Sequence, residues 1–306
     1  FVVGEAPMMN EKNALRYIAE GPKQELDMMF HFEHMEADCL FLDALQKPFD
    51  LLKLKKAFSK WQHALAGKAW NALYLENHDH PRIISRYGSE KWRTQSGKML
   101  ANCYMLQRGT PFIYQGQEIG MLNINLSDIS QYQDVQTVNN TRTLRMLGMS
   151  KKKAEERISR TTRGNARTPV QWDATPNAGF TTGTPWMPVN PNYKTINAQA
   201  EVLKRDSIFN HYRKLIAFRK KYPVAIHGDY KEHYAQSKEL YVYERSLNGK
   251  RLLVICSFTE KPVGFWAPEG FDLTKGKPVL CNYPDNQIHG NGFTTRPYET
   301  RVYYFE

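Results

Sequence analysis

Cysteine is scarce in this chain of 306 residues. Its four copies, Cys39, Cys103, Cys256 and Cys281, are widely separated and lack the close paired spacing of a zinc site or a redox motif. Reduced, mostly buried thiols in a cytoplasmic protein are the expectation. Long apolar runs are missing as well. No stretch approaches the roughly 20 residues that a membrane helix requires, so no part of the chain is expected to span a bilayer. The opening Phe1-Val2-Val3-Gly4-Glu5-Ala6 has the make-up neither of a signal peptide nor of an initiator sequence, and it reads as an apolar strand already ending in a carboxylate. The start is expected to be a cut. Negative charge is in deficit, 31 Asp and Glu against 42 Lys and Arg, for a net charge of +11. The excess is spread along the chain without a nucleic-acid motif, and Lys151-Lys152-Lys153 is followed by Glu155-Glu156, the pattern of a solvated helix face. Neither nucleic acid nor membrane is expected as a partner. Internal repeats and low-complexity segments are absent.

What is present has the composition of a soluble globular protein, 41% hydrophobic, 24% charged and 12% aromatic. A chain of this length can bury a sizeable core and hold two domains. Its most informative stretch runs from Ala72 to Gly88. Leu73, Tyr74 and Leu75 lead without a gap into Glu76-Asn77-His78-Asp79, and Pro81 forbids continuation of a regular ladder. On the residues alone this is either a buried strand that ends in chemistry or a hydrogen-bonded turn closed by Asp79 and Pro81. In a parallel α/β barrel the first reading places an imidazole and a carboxylate side by side at the ligand site.

The same grammar recurs. Val2 and Val3 run into Gly4-Glu5, and the apolar stretch Met28 to Phe32 breaks into Glu33-His34. Strand alternation continued through His34 would put His31 and Glu33 on one face and His34 on the other, so no shared metal is expected. Leu51, Leu54, Phe58, Trp61 and Leu65 are spaced as an amphipathic helix over 49–65, and Met99, Leu100, Cys103 and Leu106 predict another over 92–108 with Gly109 as its stop. Thr110 to Met121 reads as one more apolar strand opening into a Gly-rich turn. Helices are expected near 133–145 and 151–160, then a long polar loop of functional kind, Arg163 to Asp173. A helix over 206–222 ends in Arg219-Lys220-Lys221 before Pro223. Beyond it the period becomes two, with a hairpin at Asn248-Gly249 and a last strand from Thr300 to Phe305.

Asn77-His78-Asp79-x-Pro81-Arg82 resembles the fourth conserved region of the α-amylase superfamily, glycoside hydrolase family 13, and Val2-Val3-Gly4-Glu5 resembles the third. Phe30-x-Phe32-Glu33-His34 is similar to the next barrel strand of the oligo-1,6-glucosidase subgroup, and Thr110 to Met121 to the last. Arg163 to Asp173 resembles that subgroup's Arg-Asp-Asn-x-Arg-Thr-Pro-Met-Gln-Trp-Asp segment, with Gly164 in place of Asp and Val170 in place of Met, and Gly183 to Asn190 continues the likeness. The Gly164 departure puts the orientation of Arg163 in doubt.

The resemblance implies an α/β fold: residues 1–225 as the C-terminal half of a (β/α)8 TIM barrel, strands five to eight, and residues 226–306 as an antiparallel all-β, sandwich-like domain. It implies a retaining α-glucosidase that hydrolyses α-1,6 or α-1,4 bonds of short oligosaccharides from the non-reducing end. Glu5 would be the general acid/base and Asp79 the transition-state stabiliser. His78 and Arg167 would bind the sugar, while Gln117 and Glu118 stay outside the catalytic set. No cofactor or metal is implied within the chain, since a family calcium site would lie upstream of residue 1. The family's nucleophile also belongs upstream, so the chain alone is expected to be inactive and accompanied by a missing N-terminal half of the barrel. Two alternatives stand beside hydrolysis. A sucrose isomerase or trehalulose synthase-type transglycosylase would carry an Arg-rich loop where Ile83 to Gly88 has a single arginine, and a non-catalytic relative need not keep Glu5, His78 and Asp79.

Overall fold

The computed structural model describes residues 1–39 and 46–306. Each of the early apolar stretches forms a short strand and hands over to a helix, so successive strands run parallel. β1 (Val3–Glu5) is followed by α1 (Glu11–Ile18) and pairs with β2 (Met28–Phe30), Val3 opposite Met28 and Glu5 opposite Phe30. α2 (Leu51–Leu65) leads to β3 (Ala72–Leu73). α3 (Ile83–Arg86) and α4 (Arg93–Met105) then lead to β4 (Thr110–Pro111), which lies parallel to β3 with Ala72 opposite Thr110. α1 and α2 begin where a side-chain oxygen meets the free amides: Asn10 Oδ1 accepts from Asn13 N, and Asp50 Oδ1 from Leu52 N and Lys53 N. On α2 the five apolar residues at helical spacing are all buried, as expected.

β2 and β3 are neighbours without a backbone ladder. Side chains take its place: the Tyr74 hydroxyl donates to the His31 carbonyl at 2.8 Å, and His34 Nε2 faces the Tyr74 carbonyl at 2.9 Å. The strand expected over Met28 to Phe32 ends two residues early, and the alternation expected to continue to His34 does not hold. The backbone leaves the strand after Phe30 and turns into a 3-10 helix over Glu33–Glu36. Trp61 of α2 accounts for the turn, stacking on His31 at 3.9 Å and donating from Nε1 to Glu33 at 3.0 Å. His34 is thereby brought against His31, their ring centroids 4.9 Å apart, instead of standing on the opposite face.

α4 is buried from Ser96 to Met105, on its polar as well as its apolar positions. Its polar groups are correspondingly paired: Lys98 Nζ donates to Asp206, Asn102 Nδ2 to the Leu280 carbonyl and Thr300 Oγ1, and Asn102 Oδ1 faces His211 Nε2 at 2.9 Å. The helix stops at Met105, short of the expected Arg108. Gly109 is needed for another reason: its φ is 143°, and a Cβ there would press on the Asn71 carbonyl where the chain passes into β4.

α5 (Val135–Met146) and α6 (Lys151–Thr161) form a hairpin capped by Asp134 and Ser150. α7 (Ala198–Leu203), α8 (Ile208–Lys221) and α9 (Val224–His227) follow. The rest is antiparallel: β5 (Asp229–His233), β6 (Leu240–Leu247), β7 (Lys250–Ser257), β8 (Gly264–Trp266), β9 (Lys277–Pro278), β10 (Gly292–Thr294) and β11 (Thr300–Phe305). The main sheet has the order β5-β6-β7-β11-β9, and β8 pairs with β10. Asn248 and Gly249, both at positive φ, join β6 to β7 in the two-residue turn that the sequence predicts. The period-two pattern feeds two cores. Tyr241, Tyr243, Val254 and Val302 pack with α4 in the cluster that also holds Leu54 and Phe58, while Leu240, Val242, Leu253 and Ile255 pack beneath Phe265 and Phe293 of β8 and β10. Cys103, Cys256 and Cys281 are free thiols. Among the described residues no helix is long and apolar enough to cross a membrane.

Burial makes this fold sensitive to acid. It lowers the pKa of His34 and of His211 to about 3, and those of His31 and His80 well below the ordinary 6.5. All four imidazoles are therefore neutral in the folded chain, whereas in the unfolded chain they take up protons below pH 6.5. The stability they confer is complete above 6.5 and is lost as pH falls from there towards about 3. Four such protons correspond to a slope of up to about 5 kcal/mol per pH unit, opposed in part by Glu76, whose pKa burial raises. The urea midpoint of unfolding should fall steeply between about pH 6.5 and 4.5, and a level midpoint across that window would contradict the account.

Candidate active site

The carboxyl ends of all four parallel strands open onto one cavity of about 230 Å³. Glu5 closes β1, Phe30 closes β2, Tyr74 follows β3 and Phe112 follows β4, and each lines the cavity. The walls are largely aromatic, with Phe30 packed edge-on against Tyr74 at 5.2 Å and Phe112 at 4.6 Å. Glu5, Asn77 and His78 supply polar groups to it. Burial, and next the charge of Glu5, push the Tyr74 phenol well up, so its hydroxyl keeps the proton that it donates to His31.

After Tyr74 the chain turns sharply. Asn77 Oδ1 accepts from Asp79 N at 2.9 Å, an Asx turn that sets His78 and Asp79 side by side. Beneath this turn lies a pair that the sequence reading did not single out: Glu76 and Arg82, both buried. Glu76 accepts from Arg82 Nη1 at 3.1 Å and from Ile83 N at 2.8 Å. Arg82 also donates to the Gln115 carbonyl at 2.8 Å and to the Ala166 carbonyl at 3.4 Å. The signal available in the sequence was a pair of opposite charges six positions apart.

Ala166 belongs to a 3-10 turn over Arg163–Ala166, capped by the Thr162 hydroxyl. From the two ends of this turn Arg163 and Arg167 converge on one atom, Asp79 Oδ1, at 3.1 and 2.7 Å. Arg167 Nε also donates to the His78 carbonyl at 2.8 Å. Asp79 Oδ2 lies 3.3 Å from His78 Nε2. Asp134 accepts from Arg163 Nε and Nη2 at 2.9 and 2.7 Å. Burial works to raise the Asp134 pKa, but the hydrogen bonds from Arg163 and Thr137 prevail and lower it.

Of the four residues picked from the sequence, His78, Asp79 and Arg167 are joined by hydrogen bonds or close approach, and Glu5 shares the cavity with His78. Gln117 and Glu118 instead shape the turn they lie in, accepting from Tyr114 N and Gly116 N. Arg163 and Asp134 were missed. The one local hint of Asp134 is its place as the residue that caps α5. Gly164 has a steric explanation, because a Cβ there would run into the ring of the buried Tyr132. Among the described residues no group of three or more His, Cys, Asp or Glu side chains is arranged to hold a metal.

A family model described as the catalytic domain of alpha amylase matches residues 1–228. The oligo-1,6-glucosidase of Halalkalibacterium halodurans is 43% identical over 305 residues, an alignment covering 98% of this chain and 54% of that protein. The crystal structure of trehalose-6-phosphate hydrolase from Bacillus licheniformis is similar at a TM-score of 0.93 and 42% identity, covering 99% of this chain and 55% of that one. Isomaltulose synthase from Klebsiella sp. LX3 gives 0.92 and 31%, with 99% and 55% covered. The chain spans about half the length of the curated relatives it matches.

The Glu76–Arg82 pair supports a direct test of what holds the site together. Arg82→Ala leaves a carboxylate buried without its cation and three loops without their common donor, and it should cost about 3 to 5 kcal/mol of stability. Urea denaturation measures this, and a loss below about 1 kcal/mol would show that the pair is dispensable.

Proposed function

The chain belongs to the α-amylase catalytic-domain family, and from that premise we propose that it supplies the acid/base and the transition-state stabiliser of a retaining α-glucosidase acting on short oligosaccharides. One observation carries the reading: parallel strand ends bring Glu5 and His78 to a common cavity, with Asp79 beside His78 and clamped by two arginines. In retaining hydrolysis a protonated Glu5 gives its proton to the glycosidic oxygen as a carboxylate attacks the anomeric carbon. The bond to the leaving group breaks, and a covalent glycosyl-enzyme forms. Water, deprotonated by Glu5, then releases the sugar. Asp79 Oδ1 is occupied by Arg163 and Arg167, which leaves Oδ2, next to His78, for sugar hydroxyls. Bonds that strengthen as the ring flattens lower the barrier rather than the ground state. Arg167 adds a donor at the same place.

The attacking carboxylate must stand about 5 to 5.5 Å from the acid. Among the described residues Glu76 is the other carboxylate on the cavity wall, and its two oxygens are committed to Arg82 and Ile83 N. The family resemblance implies a nucleophile upstream of Glu5, and in this reading it lies outside residues 1–306, together with the strands that complete the barrel. In this reading residues 1–225 are the second half of a (β/α)8 barrel and residues 226–306 its C-terminal β domain. The outer edges of β1 and β4 have no strand partner among the described residues, as two halves meeting there would require. Hydrolysis is favoured over sucrose isomerisation because the stretch Ile83 to Gly88 carries a single arginine, Arg86, and that one is buried in an ion pair with Asp38. The retention of Glu5, His78 and Asp79 favours an enzyme over a non-catalytic relative.

Two assays test this. Purified residues 1–306 should show no saturable turnover of a chromogenic α-glucoside, and turnover of isomaltose should appear when the upstream half of an oligo-1,6-glucosidase relative is co-expressed or fused. Clear turnover by a monomer of 306 residues would refute the assignment of the nucleophile elsewhere. In the complemented enzyme Asp79→Asn should remove most of kcat without unfolding, and Arg167→Ala should chiefly raise KM. Wild-type constants in either variant would return that residue to a structural role.

A further inference from the structure

We infer that Asp134 is a positioning residue that fixes Asp79 through Arg163. The inference rests on the proposed role of Asp79. Asp134 is buried, and both of its oxygens are fully engaged: Oδ2 accepts from Thr137 N at 2.9 Å and Thr137 Oγ1 at 2.8 Å, and Oδ1 accepts from Arg163 Nε at 2.9 Å and Nη2 at 2.7 Å. The remaining nitrogen of the guanidinium, Nη1, is the one that reaches Asp79 Oδ1, at 3.1 Å. The arrangement is asymmetric. Arg163 makes two short bonds to Asp134 and one longer bond to Asp79, so Asp134 is the anchor and Asp79 the group held.

The backbone reinforces this direction. Asp134 starts the α5–α6 hairpin and Thr162 ends it, and the hairpin is closed by Thr137 Oγ1 and Thr162 Oγ1, 2.5 Å apart. Arg163 follows immediately. Its base is therefore fixed by the closed end of the hairpin and its tip by Asp134, so the planar fork has little freedom left. Arg167 approaches the same Asp79 oxygen from the other end of the turn. With Oδ1 held from both sides, the carboxylate cannot rotate, and Oδ2 keeps its place beside His78. Loss of Asp134 frees Arg163, which is 28% exposed, and leaves Asp79 with one guanidinium.

Asp134→Asn separates this role from the helix cap, because Asn caps helices as well as Asp does while removing the charge that anchors the arginine. In the complemented enzyme D134N should lower kcat by about 10- to 100-fold, the usual cost of losing an outer partner of a site residue, with KM within about threefold of wild type. D134N combined with R163A should be no worse than R163A alone. In residues 1–306 by themselves, the Arg163 Nε–H resonance in 15N spectra should be protected from exchange in wild type and in D79N, and lost in D134N. Persistence of that resonance in D134N overturns the inference, as does a D134N kcat within about twofold of wild type. If D79N itself retained wild-type kcat, the catalytic reading of Asp79 would fall, and the resonance alone would decide the link from Asp134 to Arg163.

Discussion

A carboxylate and a guanidinium withdrawn from water, Glu76 and Arg82, hold the candidate site together. Taking two such charges out of solvent costs several kcal/mol per ion, and their attraction alone does not guarantee a return. The gain is geometric. Arg82 donates to carbonyls on two separate segments, Gln115 beyond β4 and Ala166 before Arg167, while its own backbone N–H donates to Asn123. Glu76 in turn accepts from the first amide of α3. Gly116, at a φ of 89°, lies over the guanidinium with room for no side chain. The turn that presents His78 and Asp79 is therefore registered against the segment that presents Arg167, although the two are 88 residues apart in sequence.

The antiparallel sheet contributes to the same end by way of α4. Two buried arginines, Arg219 of α8 and Arg245 of β6, have no carboxylate partner among the described residues and spend their donors on carbonyls. Arg219 reaches Met105, Gln107 and Gly109, and Arg245 reaches Leu106, Ala225 and Gly228. Several of these carbonyls close the C-terminal end of α4, where the helix dipole favours a cation. Burial lowers both arginines to about 10, which leaves them charged at neutral pH. They fix where α4 ends, hence where β4 begins, hence where Phe112 and Tyr114 meet the cavity.

Local rules carried the sequence reading a long way. The helices around Leu54, Leu100 and Ile158, the hairpin at Asn248 and the final strand were legible because each repeats a short period or a turn signature. The strand expected over Met28 to Phe32 ends at Phe30, and the alternation carried on to His34 fails, because the turn is decided by Trp61, a residue of the next helix, which no local pattern reports. The same limit explains the site. Glu5, His78, Asp79, Arg163 and Arg167 stand in motifs, whereas Asp134 gains its importance from an ion pair with Arg163 closed across 29 residues. Glu76 and Arg82 are neighbours in the chain, but the carbonyls they organise are not.

The two carboxylates of the proposed chemistry occupy opposite kinds of surroundings. Asp79 is flanked by Arg163, Arg167 and His78. A group that must remain an anion while positive charge develops on the sugar ring needs such partners. Glu5 stands exposed at the end of β1, and the side chains with which it lines the cavity include no lysine or arginine. An acid that must surrender and recover a proton in each cycle needs walls that do not pin it as an anion. Phe30 and Tyr74 line the cavity with it, and the Tyr74 hydroxyl is already spent on His31. In the proposed reading, the carboxylate clamped by cations is the one assigned to stabilising charge, and the one that shares its cavity with aromatic rings is the one assigned to proton transfer.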